Sequence, residues 1–407
     1  MALIVQKFGG TSVGSIERIE AVAEHIIKTQ QQGHQVVVVL SAMSGETNRL
    51  ISLAQQIDAR PSARELDVLL TTGEQVSIAL LAMAIIKRGH SAVSLLADQV
   101  GIKTDNMFSK ARITAIDTAR LQQELQHNRI TIIAGFQGRD PEGNITTLGR
   151  GGTDTTAVEI AGALQADECQ IYTDVDGVYT TDPRIEPHAK RLSYVTFAEM
   201  LELASLGAKV LQIRSVEAAG RYNVPLRVLS SFAPDSGTLI SYEERKVNAH
   251  KVVSGIASNK DEALIWVKDV DVKPSNLANL LAILGEHGIE VDMINQLNHR
   301  EKKIDYAFTV DVSDVPLVTE IITAQSPQLG GAVVDVNANV AKISAVGIGM
   351  KSHPGVAGLF FKALAEEGIQ SLLVATAEIK ISALVEEKYL ELAVRALHAK
   401  FELESIE

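Results

Sequence analysis

Leu3-Ile4-Val5-Gln6-Lys7-Phe8-Gly9-Gly10-Thr11-Ser12 opens the chain with an apolar run that empties into two glycines and two hydroxyl residues. Apolar residues then recur at Ile16, Ile19, Val22, Ala23, Ile26 and Ile27, the spacing of one helix face. A strand that passes through glycines into a helix is a way to build an anion site. Backbone N–H groups approach phosphate oxygens closely there, and the helix N-terminus adds partial positive charge. Lys7 sits just before the glycines, where its ammonium reaches the same anion. Glycines also serve such junctions for steric reasons alone, so the rest of the chain decides. Working outward, apolar runs at residues 36–40, 92–95, 131–136, 170–173 and 226–229 alternate with helical patterns. Strands buried on both faces and separated by helices predict a mostly parallel sheet in a layered α/β/α domain. Ligands of such sheets bind at the carboxyl ends of the strands, where these glycine turns fall.

At 407 residues the chain is long enough for two or three domains. Hydrophobic residues make up 46% and charged residues 22%, a globular composition. The net charge of −12 disfavours nucleic acid as a partner but leaves room for a small anionic ligand on a local basic cluster. Cys169 is the only cysteine, so no intrachain disulfide forms and a reducing compartment fits. Neither a signal peptide nor an apolar run of transmembrane length is legible, so the expectation is a cytoplasmic protein with no membrane partner.

Residues 241–251 are polar and charged, as in a linker. Beyond them lies a duplication: Pro274 and Pro354, Leu284 and Leu364, and Gly288 and Gly368 share one offset of 80 residues. Each pair of positions frames a helix. Apolar strands precede these helices at 263–267 and 342–346. Strands follow at 290–294 and 306–312 in the first copy, and at 371–375 and 380–385 in the second. Further helices follow at 316–323 and 389–401. The period is too long for a solenoid and predicts two small paired βαββα units.

Four segments of the first 240 residues carry chemistry. The first is Lys7-Phe8-Gly9-Gly10-Thr11-Ser12. The second, Leu40-Ser41-Ala42-Met43-Ser44-Gly45-Glu46-Thr47, is a strand end that also reads as a plain capped turn. The third, Thr147-Leu148-Gly149-Arg150-Gly151-Gly152-Thr153-Asp154-Thr155-Thr156-Ala157, sets an arginine among glycines at a helix start. Its planar fork suits a carboxylate or phosphate, while Thr153 or Asp154 also reads as a helix cap. The fourth, Ile171-Tyr172-Thr173-Asp174-Val175-Asp176-Gly177-Val178-Tyr179-Thr180-Thr181-Asp182-Pro183-Arg184, crowds aspartates, tyrosines and an arginine at a strand exit. It fails as an EF-hand, because Val178 stands at an acidic-ligand position. The chain has no P-loop, no G-x-G-x-x-G after a strand, no zinc-spaced His/Cys cluster and no G-x-S-x-G elbow.

Together these segments closely resemble the signature segments of the aspartate kinases, a branch of the amino acid kinase family. The similarity runs over essentially the whole chain. The duplicated half resembles paired ACT domains, and Gly347-Ile348-Gly349-Met350-Lys351-Ser352-His353-Pro354-Gly355-Val356 is typical of the second. The resemblance implies a layered α/β/α amino acid kinase domain with a mostly parallel central sheet (residues 1–245). Two ferredoxin-like (βαββαβ) ACT domains follow, at 246–340 and 341–407. In that family the second ACT domain borrows an early strand, so residues 252–257 are expected to pair with residues after Lys342.

It further implies ATP- and Mg2+-dependent phosphorylation of the β-carboxylate of L-aspartate, the entry step to lysine, threonine and methionine. A carboxylate acceptor is already ionised, so positioning and charge stabilisation suffice and no general base is needed. Carried over by position, Lys7 neutralises the transferring phosphoryl group and Gly9 and Gly10 offer N–H donors to phosphate. Asp154 is the catalytic aspartate that orients lysines and phosphoryl group. Arg150 holds the substrate α-carboxylate, Glu74 meets its α-ammonium, and Ser41, Thr47, Gly151, Gly152 and Thr153 complete the pocket. Thr173, Asp174, Tyr179, Asp182 and Arg184 match nucleotide-binding positions, and Lys209 matches a second lysine near the phosphates. No protein ligand of the metal is assigned.

The ACT half implies feedback by lysine, threonine or both, and a homo-oligomer built through ACT pairing. Effector positions carry over to Lys273, Asn276, Leu277, Val291, Asp292, Met293 and Gln296 in the first copy. In the second they are Val356, Ala357, Gln370, Ser371, Thr376 and Ala377. Related two-effector enzymes carry an aspartate directly before the Lys-Pro of the first ACT loop. Here Val272 holds that place and Asp271 stands one residue earlier, so the partner of a lysine ammonium is lost or displaced. The alternatives are another amino acid kinase, acting on glutamate, acetylglutamate or uridylate, and a non-catalytic amino-acid sensor on the same scaffold.

Overall fold

The computed structural model describes residues 1–206, 210–233, 236–242 and 252–406. Lys209 and most of the expected linker, 243–251, lie outside the described residues. The described chain divides into two compact units. One takes residues 1–178, 191–204, 210–233 and 236–242; the other takes 179–190, 205–206 and 252–406.

The first unit is built on an eight-stranded sheet. Its strands are β1 (Leu3–Phe8), β2 (Gln35–Leu40), β3 (Ala92–Leu95), and, after two short strands, β4 (Ile102–Thr104) and β5 (Ile113–Ile116), β6 (Ile130–Ala134). Beyond β7 (Gln137–Arg139) and β8 (Ile145–Thr147), it continues with β9 (Glu168–Thr173), β10 (Tyr194–Thr196), β11 (Leu226–Ser230) and β12 (Thr238–Ser241). The order is β10-β12-β11-β9-β1-β2-β6-β3, and every ladder is parallel except β11 with β12. The six runs read as strands all lie in this sheet. The four short strands form a separate sheet, β5-β4-β7-β8, which the sequence did not announce, because three or four residues are too few to carry a period.

Local chemistry explains the long helices. α1 (Ile16–Gln31) starts at Ser15, whose side chain accepts from the Arg18 N–H, and buries Ile19, Val22, Ala23, Ile26 and Ile27. α2 (Glu46–Ile57), α3 (Ala63–Leu70), α4 (Thr72–Lys87) and α5 (Ala119–Gln126) follow. Then come α6 (Gly152–Ala163), α7 (Phe197–Ser205) and α8 (Ile213–Tyr222). The stretch Ala63–Lys87 has the length and hydropathy of a membrane span. It bends into two helices at Thr71, and α4 buries Ile78, Leu81 and Ile85 in the main core with Phe8, Val38 and Ile132.

The second unit holds the duplication. Its six-stranded sheet runs β14-β15-β13-β16-β18-β17, with β13 (Gly255–Asp271), β14 (Asn295–Leu297), β15 (Lys303–Asp311), β16 (Val333–Val346), β17 (Leu373–Thr376) and β18 (Lys380–Glu386). β13 serves both copies. Its first residues pair with the end of β16, Gly255 with Val346 and Ala257 with Ser344, while residues 262–271 pair with β15. α9 (Pro274–Glu286) and α10 (Val315–Gln325) pack with Ile265, Val267 and Phe308. α11 (Val356–Glu366) and α12 (Leu390–Lys400) pack with Ile343, Ala345 and Ala383. Alternate residues Leu264 and Trp266 belong to a different cluster, with Met293 and Leu373, as the two-residue period of a strand requires. The strand expected at 290–294 is corrected. It forms only at Asn295–Leu297, because Met293 turns into the core and Asp292 is drawn to Lys342, 2.5 Å away.

Candidate active site

The carboxyl ends of β1, β2, β6 and β9 lie side by side, and α6 begins beside them. Lys7, on β1, is 8% exposed, and its Nζ stands 2.6 Å from Asp154 Oδ1 in the first turn of α6. A buried lysine needs such a partner, and an anion at a helix N-terminus is favoured by the helix dipole. The turn into α6 places Gly149 at φ 78° and Gly151 at φ 69°, conformations that a side chain strains. A Cβ on Gly151 would also collide with Gln212. Between these glycines Arg150 is exposed and makes no ion pair among the described residues.

Gly9 and Gly10 divide the task expected of both. The Gly9 N–H already donates to the Tyr172 carbonyl at 3.3 Å, so its amide is engaged by β9. What Gly9 contributes is room, since a Cβ would lie 3.4 Å from Lys7 Nζ. Gly10 opens a 3-10 turn, Gly10–Val13, whose first N–H groups have no partner within the turn. A Cβ on Gly10 would sit 3.0 Å from the Ala42 carbonyl, so the segment after β2 also favours glycine there.

The remaining expected substrate positions belong to the same unit. Ser41 Oγ donates to Thr153 Oγ1 at 3.0 Å, joining the end of β2 to α6. Glu74, on α4, is 3% exposed. One of its carboxylate oxygens accepts from the Ala42 N–H at 3.1 Å. The other is buried and has no hydrogen-bond partner among the described residues. Burial pushes the Glu74 carboxyl up to about 7. Thr47 is half-buried on α2. Thr173 and Asp174 follow at the end of β9, with the Thr173 hydroxyl on Asp174 Oδ1 at 3.1 Å.

The other expected nucleotide positions, Tyr179, Asp182 and Arg184, belong to the second unit. There Arg184 grips Asp182 in two charge-assisted bonds, at 3.0 and 2.7 Å, which hold the Asp182 carboxyl below its usual range.

Two families of known proteins match the chain. The amino acid kinase family model covers residues 2–230 and an ACT domain model covers residues 343–401. An aspartokinase of Pseudomonas aeruginosa is 55% identical over 406 residues, covering 100% of this chain and 98% of that protein. An aspartokinase of Geobacillus stearothermophilus is 47% identical, covering 99% and 98%. The chain belongs to the aspartate kinase family. In structure it resembles E. coli aspartokinase III in complex with aspartate and ADP, with a TM-score of 0.82 at 27% identity over 98% of this chain and 99% of that one.

As in other aspartate kinases, the catalytic fold is joined to an ACT half, where several expected effector side chains have structural duties. Asn276 is buried and donates to the Asp271 carbonyl at 3.0 Å. Met293 and Val356 pack in cores. Asp292 is tied to the buried Lys342, which also holds Glu262 at 2.5 Å. Lys273, Gln296, Ala357, Gln370, Thr376 and Ala377 are exposed, and Leu277, Val291 and Ser371 half-buried. Asp271 is no free substitute for the missing aspartate, because Lys303 Nζ lies 2.8 Å from it and Lys273 Nζ 3.5 Å.

Two positioning residues escaped the sequence reading. Asp67, fully buried on α3, accepts from the N–H and hydroxyl of both Ser109 and Thr147 at 2.8 to 3.1 Å, and so fixes the strand that leads into Arg150. Gly135, just past β6, leaves room for Thr153, whose Cγ2 would lie 2.5 Å from a Cβ there. A lone aspartate on a helix face and a glycine after a strand carry no signal until their tertiary partners are known.

Proposed function

We propose that this aspartate kinase transfers the γ-phosphoryl group of ATP to the β-carboxylate of L-aspartate, at the site formed around Lys7 and Asp154. The observation that carries this reading is complementarity to a zwitterion. Arg150 offers an unpaired guanidinium, and Glu74 offers a buried carboxylate oxygen with no partner among the described residues. An α-carboxylate and an α-ammonium fill those two valences and leave the side-chain carboxylate of aspartate to face Lys7. Lys7 then balances charge on the transferring group and Asp154 fixes the direction of its Nζ. Gly10 supplies an amide to phosphate, and Thr173, Asp174, Tyr179, Asp182 and Arg184 are read as nucleotide contacts. Lys209 is assigned the second phosphate lysine on sequence alone.

Among the described residues no three His, Cys, Asp or Glu side chains converge. We read Mg2+ as the metal of the reaction, which would be held largely by phosphates and water and would offset their charge when bound. E. coli aspartokinase III has been solved with aspartate and ADP, and also with lysine and aspartate. We assign lysine, threonine or both as effectors of the ACT half, an oligomer built through ACT pairing, and a cytoplasmic location.

A coupled kinase assay across aspartate, glutamate and UMP tests the substrate. Turnover is expected with aspartate, and its absence there overturns the reading.

A further inference from the structure

The loop that carries Tyr179, Asp182 and Arg184 is built into the second unit by several contacts, one of them a buried side chain of α12. Thr180 is fully buried, and its hydroxyl lies 3.0 Å from Nε2 of His398 on α12. His398 is itself only 2% exposed. The neck of the loop closes on the same threonine. The Thr180 N–H donates to the Lys190 carbonyl at 2.8 Å, and the Lys190 N–H donates to Thr180 Oγ1 at 2.9 Å. The Thr180 carbonyl accepts from the Ile256 N–H of β13 at 2.7 Å. Further along, Ile185 packs into the core that holds Val394 and Leu397 of α12.

While accepting from the Lys190 N–H, the Thr180 hydroxyl also has a hydrogen to donate to a bare Nε2, an arrangement that goes with neutral His398 carrying its proton on Nδ1. Burial favours the neutral form, against the pull of Glu186 from the loop and Glu404 beyond α12 and with the push of His188.

We infer that His398 is a positioning residue for phosphoryl transfer: it fixes Thr180, and through Thr180 the loop whose Asp182 and Arg184 are read as nucleotide contacts. The inference rests on the proposed reading of that loop as a nucleotide contact. It separates the two substrates, because no expected aspartate-binding residue lies in the loop.

Steady-state kinetics on the full-length enzyme tests it. His398→Leu and Thr180→Val are each expected to raise KM for ATP about tenfold while KM for aspartate stays within twofold. The double variant is expected to be no worse than Thr180→Val alone, which removes the His398 contact together with the acceptor of the Lys190 N–H. Thr180→Ser keeps the hydroxyl, and His398→Gln presents an amide oxygen as acceptor, so both are expected to restore KM for ATP to within threefold. An unchanged KM for ATP, or a rise shared equally by both substrates, overturns the inference. If His398→Leu fails to fold, His398→Asn, whose shorter side chain withdraws the acceptor while leaving the Lys190–Thr180 bond in place, is compared with the His398→Gln rescue instead. Arg184→Ala separates the two levels. If it leaves KM for ATP unchanged, the loop reading itself is wrong. If it raises KM for ATP while His398→Leu and Thr180→Val do not, only the role of His398 is lost.

Discussion

Glu74 is a carboxyl held on the edge of ionisation. Its pKa rises from 4.5 to about 7 because burial penalises the charged form. The sign of the consequence is fixed by linkage. Between pH 4.5 and 7 the folded state holds a proton that the unfolded state has released, so this group's contribution to stability falls as pH rises through that window, by on the order of 3 kcal/mol. The uncharged isostere Glu74→Gln should therefore gain stability relative to the parent between pH 5 and 8, read from urea midpoints; a pH-independent difference would remove the premise. Function responds in the opposite sense. A bound ammonium favours the ionised carboxylate, so KM for aspartate should rise as pH falls below 7 while KM for ATP stays flat, and Glu74→Gln should abolish that slope. At the other end of the site, Lys7→Ala and Asp154→Ala should each lower kcat by at least about 1,000-fold, on the order of 4 kcal/mol of transition-state stabilisation. They should leave effector binding, followed by calorimetry, intact. Near-normal turnover in either variant would refute the roles given to them.

The start of α6 shows how an element can carry more information than its residues. Gly143 and Gly151 both have positive φ, but Gly143 faces open space whereas a Cβ at Gly151 meets Gln212. Gly143→Ala should cost only the backbone strain, about 1 kcal/mol, with activity retained. Gly151→Ala should displace the helix start that carries Thr153 and Asp154, lowering kcat tenfold or more; equal effects in melting and kinetics at the two sites would show that the collision is relieved elsewhere. Asp67 belongs to the same level. Removing its carboxylate strands the buried Thr147 N–H and the half-buried Ser109 N–H, so Asp67→Ala should cost about 3 kcal/mol. The loss should appear in KM for aspartate before KM for ATP, since Asp67 anchors the strand leading to Arg150.

Across the whole molecule, the expected effector positions include groups whose ion pairing sequence position alone does not show. Asp271 is neutralised by Lys303 and Lys273, and exposed Val272 occupies the place where related enzymes carry an aspartate. Val272→Asp should therefore lower the lysine concentration for half-inhibition about tenfold, or roughly 1.4 kcal/mol, in a titration against lysine, threonine and their mixture. An unchanged lysine response would mean that the effector ammonium lies elsewhere. Because coupling is reciprocal, any effector that weakens nucleotide binding must itself bind less tightly when nucleotide is present.

Six strands of the main sheet, the duplicated half and the glycine-flanked segments were legible in the sequence because each rests on local order: a period, an offset of 80 residues, a motif. The Lys7–Asp154 pairing was legible only through family resemblance, since residues 147 positions apart share no local pattern. Tertiary structure alone decided the rest. It engaged the Gly9 amide with β9, buried Asn276 and Met293, and drew Asp292 to Lys342. It also placed residues 179–190 with the second unit, although they interrupt the sequence of the first. Sequence by itself determines what each segment prefers over a few turns or a strand. Which hydrogen bonds remain open for a ligand is settled only when distant segments meet, because a buried donor or acceptor takes whichever partner the fold brings to it.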